Sequence, residues 1–280
     1  VRSIRWESGK GAVLEAQQFL EVSPARGKSD FQLSSSRTAA PSDFASLQYR
    51  TDPPVDLSYL HPLQILLLGL PGAARSRVVN PPEALALANE KLEAAWLGDL
   101  MPPTVASSSW DAIASFGERE GRAVLKPLHL AQSKGVELLD FRSAAGREQA
   151  RAVISRASDE FRRPVLLQRY LEGIRDGEQR LWFLDGKLLG YVRKLPKDGD
   201  FRVNLDQGSR VVATRLTAAE KKAAARISAA LRKRRIRMAA VDLIEAKITD
   251  FNLTSPGLIT QMEEILGENL ARPIVKALAR

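Results

Sequence analysis

Ala240-Val-Asp-Leu-Ile-Glu-Ala-Lys-Ile-Thr-Asp-Phe-Asn252 places two apolar-rich runs on either side of a short polar turn, the pattern of a β-hairpin. With the turn centred on Ala246, Asp242 falls directly opposite Asp250. Asn252, two residues further on, shares the face of Asp250. Opposed Cβ atoms lie about 4.5–5.5 Å apart, so two carboxylates there repel unless a cation stands between them. Three oxygen side chains on one face suit Mg²⁺, which takes oxygen ligands and commonly bridges carboxylates to substrate phosphates. A hairpin with a solvated polar face fits the same spacing, because Asp and Asn are common near turns.

The neighbouring segments extend this hairpin into an antiparallel sheet with covering helices. Strands are predicted over 165–170, 179–184 and 187–192, the last two joined by the turn signal Asp185-Gly186. Thr217 with Glu220 makes a capping box for a helix over 218–235, whose buried stripe is Ala223, Ile227, Ala230 and Leu231. That helix ends in Arg232-Lys233-Arg234-Arg235, followed by Arg237, and cations in a last turn complement the helix dipole. This local reading is preferred to nucleic-acid binding. The polar stretch 196–211 has the length of a binding loop or lid.

Toward the N-terminus, 144–161 reads as a helix burying Ala150, Val153, Ile154 and Ala157, with Pro164 as its stop. Ala123-Val-Leu125 is a strand that delivers Lys126 into a loop, and 110–116 is a short helix. One helix is predicted over 82–97, ended by Pro102-Pro103. Over 1–48 the signal is weak: 12–20 has the spacing of a short helix, and 23–43, rich in Ser, Ala, Pro and Arg, reads as loop.

Composition bounds the chemistry. A chain of 280 residues can hold two or three packed subdomains, and 44% apolar with 27% charged residues describes a globular protein rather than a disordered one. The absence of cysteine excludes disulfides, thiolate metal sites and a cysteine nucleophile. His61 and His129 are the only histidines, which excludes a multi-histidine zinc site. The apolar run Ile65-Leu-Leu-Leu-Gly-Leu70 is far shorter than the roughly 18–20 residues of a membrane span, and no secretory signal is visible after Arg2 and Arg5. A cytoplasmic protein without a membrane partner is expected. A net charge of +9 favours anionic partners without choosing among them.

Asp250-Phe-Asn-Leu-Thr-Ser-Pro256 resembles the Glu-Ile-Asn-Val-Thr-Ser-Pro signature of prokaryotic glutathione synthetases, and Val241-Asp-Leu-Ile244 resembles the strand before it. Further matches follow in order: Arg50-Thr-Asp-Pro-Pro-Val-Asp56, Val79-Asn-Pro81, Asn89-Glu-Lys-Leu92 with Trp96, Leu125-Lys-Pro-Leu128, Gln168-Arg-Tyr-Leu171 and Asp176-Gly-Glu-Gln-Arg180. The similarity runs from about residue 49 to the C-terminus, and 1–48 is divergent. The resemblance implies a mixed α/β and α+β architecture, the ATP-grasp fold. In it, two α+β subdomains (81–163 with a lid, and 164–280) clamp ATP behind a small α/β substrate domain over 1–80. It implies an ATP-dependent carboxylate-amine ligase that forms a peptide bond through an acyl phosphate.

The same resemblance distributes roles. Lys91 and Lys126 would neutralise the nucleotide phosphates. Gln168, Arg169, Tyr170 and Leu171 would hold the adenine, and Asp176 the ribose. Arg180, Lys194, Arg202 and Asn204 would bind the peptide carboxylates, with Arg180 and Arg202 as catalytic residues. Asp242, Asp250 and Asn252 would hold Mg²⁺, with Mn²⁺ as an alternative. The implied partners are small anionic peptides and amino acids, in a homo-oligomer (tetramer or dimer).

Three positions depart from the family pattern. His129-Leu-Ala-Gln-Ser-Lys-Gly135 replaces a glycine-rich phosphate loop, which removes backbone amides that could close over phosphates. Asp250 is one methylene, about 1.5 Å, shorter than the usual Glu. Lys194 stands where an Arg is expected and cannot form a bidentate fork, and 207–210 replaces a glycine-rich loop. Alternatives to glutathione synthesis are therefore ligation of another peptide or amino acid, or ATP binding with little turnover.

Overall fold

Short strands form among the described residues of 1–48, where the spacing over 12–20 predicts a helix and 23–43 predicts a loop. The structure, a computed structural model, describes residues 3–23, 30–52, 55–70, 72–128, 130, 134–203, 205 and 208–279. Strands β1 (Ser3–Glu7), β2 (Gly11–Ala16) and β5 (Arg37–Ala39) make an antiparallel sheet in the order β1-β2-β5, and β3 (Phe19–Ser23) pairs with β4 (Asp30–Leu33) as a separate ribbon. Ala12, Val13, Leu14 and Ala16 are all buried. A strand covered on both faces shows no alternation, so its apolar run cannot be told from a helix segment by periodicity. Helix α1 (Leu57–Gly69) packs on β2 so closely that a Cβ on Gly69 would lie 2.2 Å from the Ala12 Cβ.

Strand β6 (Leu47–Gln48) runs parallel to β7 (Val78–Val79), and Asn80 follows directly. Asn80 is buried and uses its whole amide: Nδ2 donates to the carbonyls of Met238 (2.7 Å) and Leu253 (2.9 Å), while Oδ1 accepts from the N–H groups of Arg237 (2.9 Å) and Met238 (2.8 Å). Four bonds to one side chain are lost together in Asn80→Ala, at about 1 kcal/mol each before the cost of unpaired backbone groups. The expected result is a loss of about 4 kcal/mol in urea unfolding, and a shift below about 1 kcal/mol would refute the staple.

The single helix predicted over 82–97 is broken. Helix α2 (Pro82–Leu87) ends at Ala88, and a 3₁₀ segment resumes at Glu93–Leu100. The intervening residues are committed elsewhere: the Glu90 carbonyl accepts from Phe251 N–H (2.9 Å) and the Asn89 amide donates to the Leu128 carbonyl (3.0 Å). Tertiary bonding overrides local propensity here.

Strands β8 (Thr104–Ser107), β9 (Arg122–Pro127), β10 (Glu137–Asp140) and β11 (Val165–Arg169) form one antiparallel sheet in the order β10-β9-β11-β8. Helices α3 (Trp110–Glu120) and α4 (Ala144–Ala157) cover it, burying Ile113, Phe116, Ala150 and Ile154. α4 stops before Pro164 because Asp159, Glu160 and Phe161 adopt positive φ.

A five-stranded antiparallel sheet, ordered β14-β13-β12-β15-β16, comprises β12 (Glu178–Leu184), β13 (Lys187–Leu195), β14 (Arg210–Val212), β15 (Met238–Ile244) and β16 (Lys247–Asn252). Asp185 and Gly186 turn β12 into β13 at φ 48° and 68°, as the dipeptide requires. The Thr217/Glu220 capping box starts α5 (Ala218–Lys233). The basic run after it is explained locally: Arg232 donates to the Gly186 carbonyl, Arg234 pairs with Glu93 beneath Trp96, and Arg237 pairs with Asp185. Helices α6 (Ile259–Leu266) and α7 (Ala271–Leu278) close the second face of this sheet, and no described helix is long and apolar enough to cross a membrane.

Candidate active site

The hairpin that decides the fold reaches the expected register by a route the spacing does not show. A two-residue turn at Glu245 and Ala246, both at positive φ, pairs Ile244 with Lys247 and Leu243 with Ile248. Thr249 is then an extra residue, and this bulge restores Asp242 opposite Asp250. The bulge also frees Thr249: its carbonyl accepts from Lys126 Nζ (2.7 Å), and its hydroxyl donates to Glu178 Oε1 (2.6 Å).

Lys126 comes from β9 in the other sheet and also donates to Gln168 Oε1 (2.9 Å) on adjacent β11. Burial pushes its pKa below the ordinary lysine value, although Asp250 and Glu178 oppose the shift. Lys91 Nζ is tied to the Leu130 carbonyl (2.5 Å) and lies near enough to Lys126 to oppose its charge.

Cross-strand pairing builds the opposite wall. Arg180 faces Asp242, and Glu178 faces Lys194. Arg180 donates to both Asp242 oxygens (2.8 and 2.5 Å), and Lys194 bridges Asp242 (2.9 Å) and Glu178 (2.8 Å). Burial raises the Asp242 pKa, but Arg180 and Lys194 outweigh it and hold the carboxyl at about 2. Asp250 behaves oppositely: burial and the charge of Asp242 push it up, and its carboxylate has no hydrogen-bond or ion-pair partner among the described residues. Burial, then the nearby Asp250 charge, pushes Glu90 to about 7, with Thr254 Oγ1 donating to it (3.2 Å).

These groups line one cleft of about 430 Å³ between the two sheets. Lys91, Lys126, Gln168, Arg169, Tyr170, Leu171, Arg180, Lys194, Arg202, Asp242, Asp250 and Asn252 all face it. Tyr170 meets Phe201 edge to face at 6.2 Å, and Arg202 pairs with Asp200 (3.0 Å). Asp176 is not among them: it is exposed and lines a separate groove beside Arg175 and Arg193. Asn204, His129 and 131–133 lie outside the described residues.

Asp52, Glu90, Glu178 and Thr249 also line the cleft and were missed. Glu178 was legible, since period-two alternation puts it on the face of Arg180, whereas Asp176 precedes the strand. The oxygen donors fit a hard divalent cation. Among the described residues Asp250 is a half-buried carboxylate without a hydrogen-bond or ion-pair partner, and Asn252 Oδ1 accepts only from Ser255 N–H (3.2 Å). No cluster of three acidic or histidine ligands forms among the described residues, so phosphate oxygens would have to complete the coordination.

Two sheets clasping a cleft, with lysines from one wall facing an arginine-carboxylate network on the other, define an ATP-grasp ligase. Solved structures share the fold: the ATP-grasp ligase PsnB complexed with minimal precursor (TM-score 0.60, 17% identity, covering 92% of this chain and 85% of that one) and D-cycloserine synthetase DcsG (TM-score 0.58, 20% identity, 79% and 78%). Within that class, the chain belongs to the prokaryotic glutathione synthetase family. It matches the family's N-terminal domain over residues 2–86 and its ATP-grasp domain over 90–267. Relatives include the glutathione synthetases of Prochlorococcus marinus (35% identity, 84% of this chain, 75% of that protein) and Agrobacterium fabrum (30%, 93% and 79%). The chain is an ATP-dependent, peptide-forming ligase of the glutathione synthetase type.

Proposed function

We propose that this protein joins γ-glutamylcysteine to glycine at the expense of ATP, yielding glutathione, ADP and phosphate. The observation that carries the reading is the convergence in one cleft of Lys91 and Lys126, the Asp242/Asp250/Asn252 face, and Arg180 with Lys194 and Arg202. Lys126 and Lys91 would hold the phosphates, and Gln168 to Leu171 the adenine. Arg180, Lys194 and Arg202 would orient the peptide carboxylate for in-line attack on the γ-phosphorus, with ADP leaving. The amine nitrogen then attacks the acyl carbon, phosphate leaves, and the amine gives up its proton. Bound Mg²⁺ would shield the phosphates and stabilise the charge that develops in transfer; Asp242, Asp250 and Asn252 would hold it.

An N-terminal substrate domain over 1–80 before an ATP-grasp region, a cytoplasmic location and a homo-oligomer belong to the same proposal. The test is ADP release from Mg-ATP with each substrate omitted in turn. ADP that requires both γ-glutamylcysteine and glycine is expected. ADP released only with another donor or acceptor would move the reading to a different ligation, and ATP binding without ADP release under any pair would leave a nucleotide-binding protein.

A further inference from the structure

The loop after β16 ties the C-terminal sheet to the N-terminal half at the rim of the cleft. Arg50 donates to the Pro256 carbonyl (2.9 Å), and Ser255 Oγ donates to Asp52 Oδ1 (2.5 Å). Because the Ser255 N–H is itself held by Asn252 Oδ1 (3.2 Å), Asp52 stands next to the Asp250/Asn252 face. It lines the cleft, is solvent-accessible and forms no ion pair among the described residues, although Arg50 is near enough to feel its charge.

The other carboxylates lining the cleft are less exposed than Asp52 and already committed. Glu178 and Asp242 are neutralised by Lys194 and Arg180, and Asp250 and Glu90 are half-buried and feel each other's charge, Asp250 on the proposed metal face itself. Both γ-glutamylcysteine and glycine carry a primary ammonium as well as carboxylate. The cations of the cleft match phosphates and carboxylates and repel an ammonium, which needs a carboxylate that still has an open oxygen. We infer that Asp52, steadied by Ser255, is the subsite for a substrate ammonium group. This assignment rests on the ligase reading above, and the ammonium belongs either to the donor peptide or to the acceptor amino acid.

Asp52→Asn keeps an oxygen acceptor for Ser255 and removes only the charge. The expected result is a KM about 10-fold higher for one amine-bearing substrate, with the KM effect larger than the kcat effect and the KM for ATP not moved. A shift confined to γ-glutamylcysteine, with loss of the wild-type preference over its des-amino analogue glutarylcysteine, identifies the donor. A shift confined to glycine identifies the acceptor. Ser255→Ala, which loosens the carboxylate but keeps its charge, should move the same KM by a smaller factor. Wild-type turnover together with an Asp52→Asn protein whose amine-substrate KM values are unchanged, or rise together with that for ATP, overturns the assignment alone. Wild-type protein that releases no ADP with this pair overturns the ligase reading and the assignment together.

Discussion

Asp242→Asn lowers kcat by about 10²–10³-fold, the scale for removing one preorganised electrostatic group from an active site. The same substitution strands two buried cations. Arg180 is 14% exposed and Lys194 7% exposed at the side chain, and both direct their donors at this carboxylate. Removing one partner of such a network costs about 3–5 kcal/mol in stability, because the remaining charges stay desolvated without compensation. Stability also carries a pH signature. With its carboxyl held at about 2 against an ordinary 3.8, Asp242 stabilises the native state fully above pH ~4, and the contribution is lost as pH falls through about 2. Urea unfolding of wild type and variant at pH 7, 4 and 3 should therefore show a gap that narrows with acidity. A gap that stays constant over this range would mean that Asp242 is not the group holding the network.

Lys126→Met separates binding from folding in the complementary way. Methionine keeps the length of the stem and removes an ammonium whose burial already disfavours its charge. Loss of the bonds to Gln168 and Thr249 is offset by relief of that desolvation, so the melting temperature without nucleotide should move by only a few degrees, about 1 kcal/mol or less. Affinity for ATP should fall by about 100-fold, the effect of taking a fixed cation from a phosphate clamp. The lowered pKa adds a direction in pH: as pH rises, wild-type ATP binding should weaken before the ordinary lysine value of 10.5 is reached, and the variant should lack that titration. Calorimetric titration with a non-hydrolysable ATP analogue reads both effects. Unchanged affinity in the variant would remove Lys126 from the phosphate site.

Legibility in the sequence followed how local each determinant is. The Asp185-Gly186 turn and the Thr217/Glu220 capping box were readable because their signals lie within four residues of the structure they make. The opposition of Asp242 and Asp250 was also readable, but only because a turn half a residue from the expected centre is compensated by the Thr249 bulge. No feature of Thr249 itself announces a bulge; its bonds to Lys126 and Glu178 come from other strands. The helix over 82–97 failed for the same reason, since Asn89 and Glu90 spend their hydrogen bonds on distant segments. The candidate residues on regular strands line one cleft, whereas Asp52 and Glu90 enter it through tertiary placement that spacing does not encode.

Asn80 has a consequence for exchange of modules within this family. The two family matches meet between residues 86 and 90, yet the side chain that saturates Met238 and Leu253 belongs to the N-terminal match. A chimera joined after residue 86 inherits the amide together with the segment that carries it, and the recipient strand finds its partner only if the donor supplies asparagine there. A chain begun at residue 81 would instead leave two carbonyls and two N–H groups of the central sheet open at its margin. The seam that recombination can use therefore lies downstream of Asn80, in the short stretch between the two family matches.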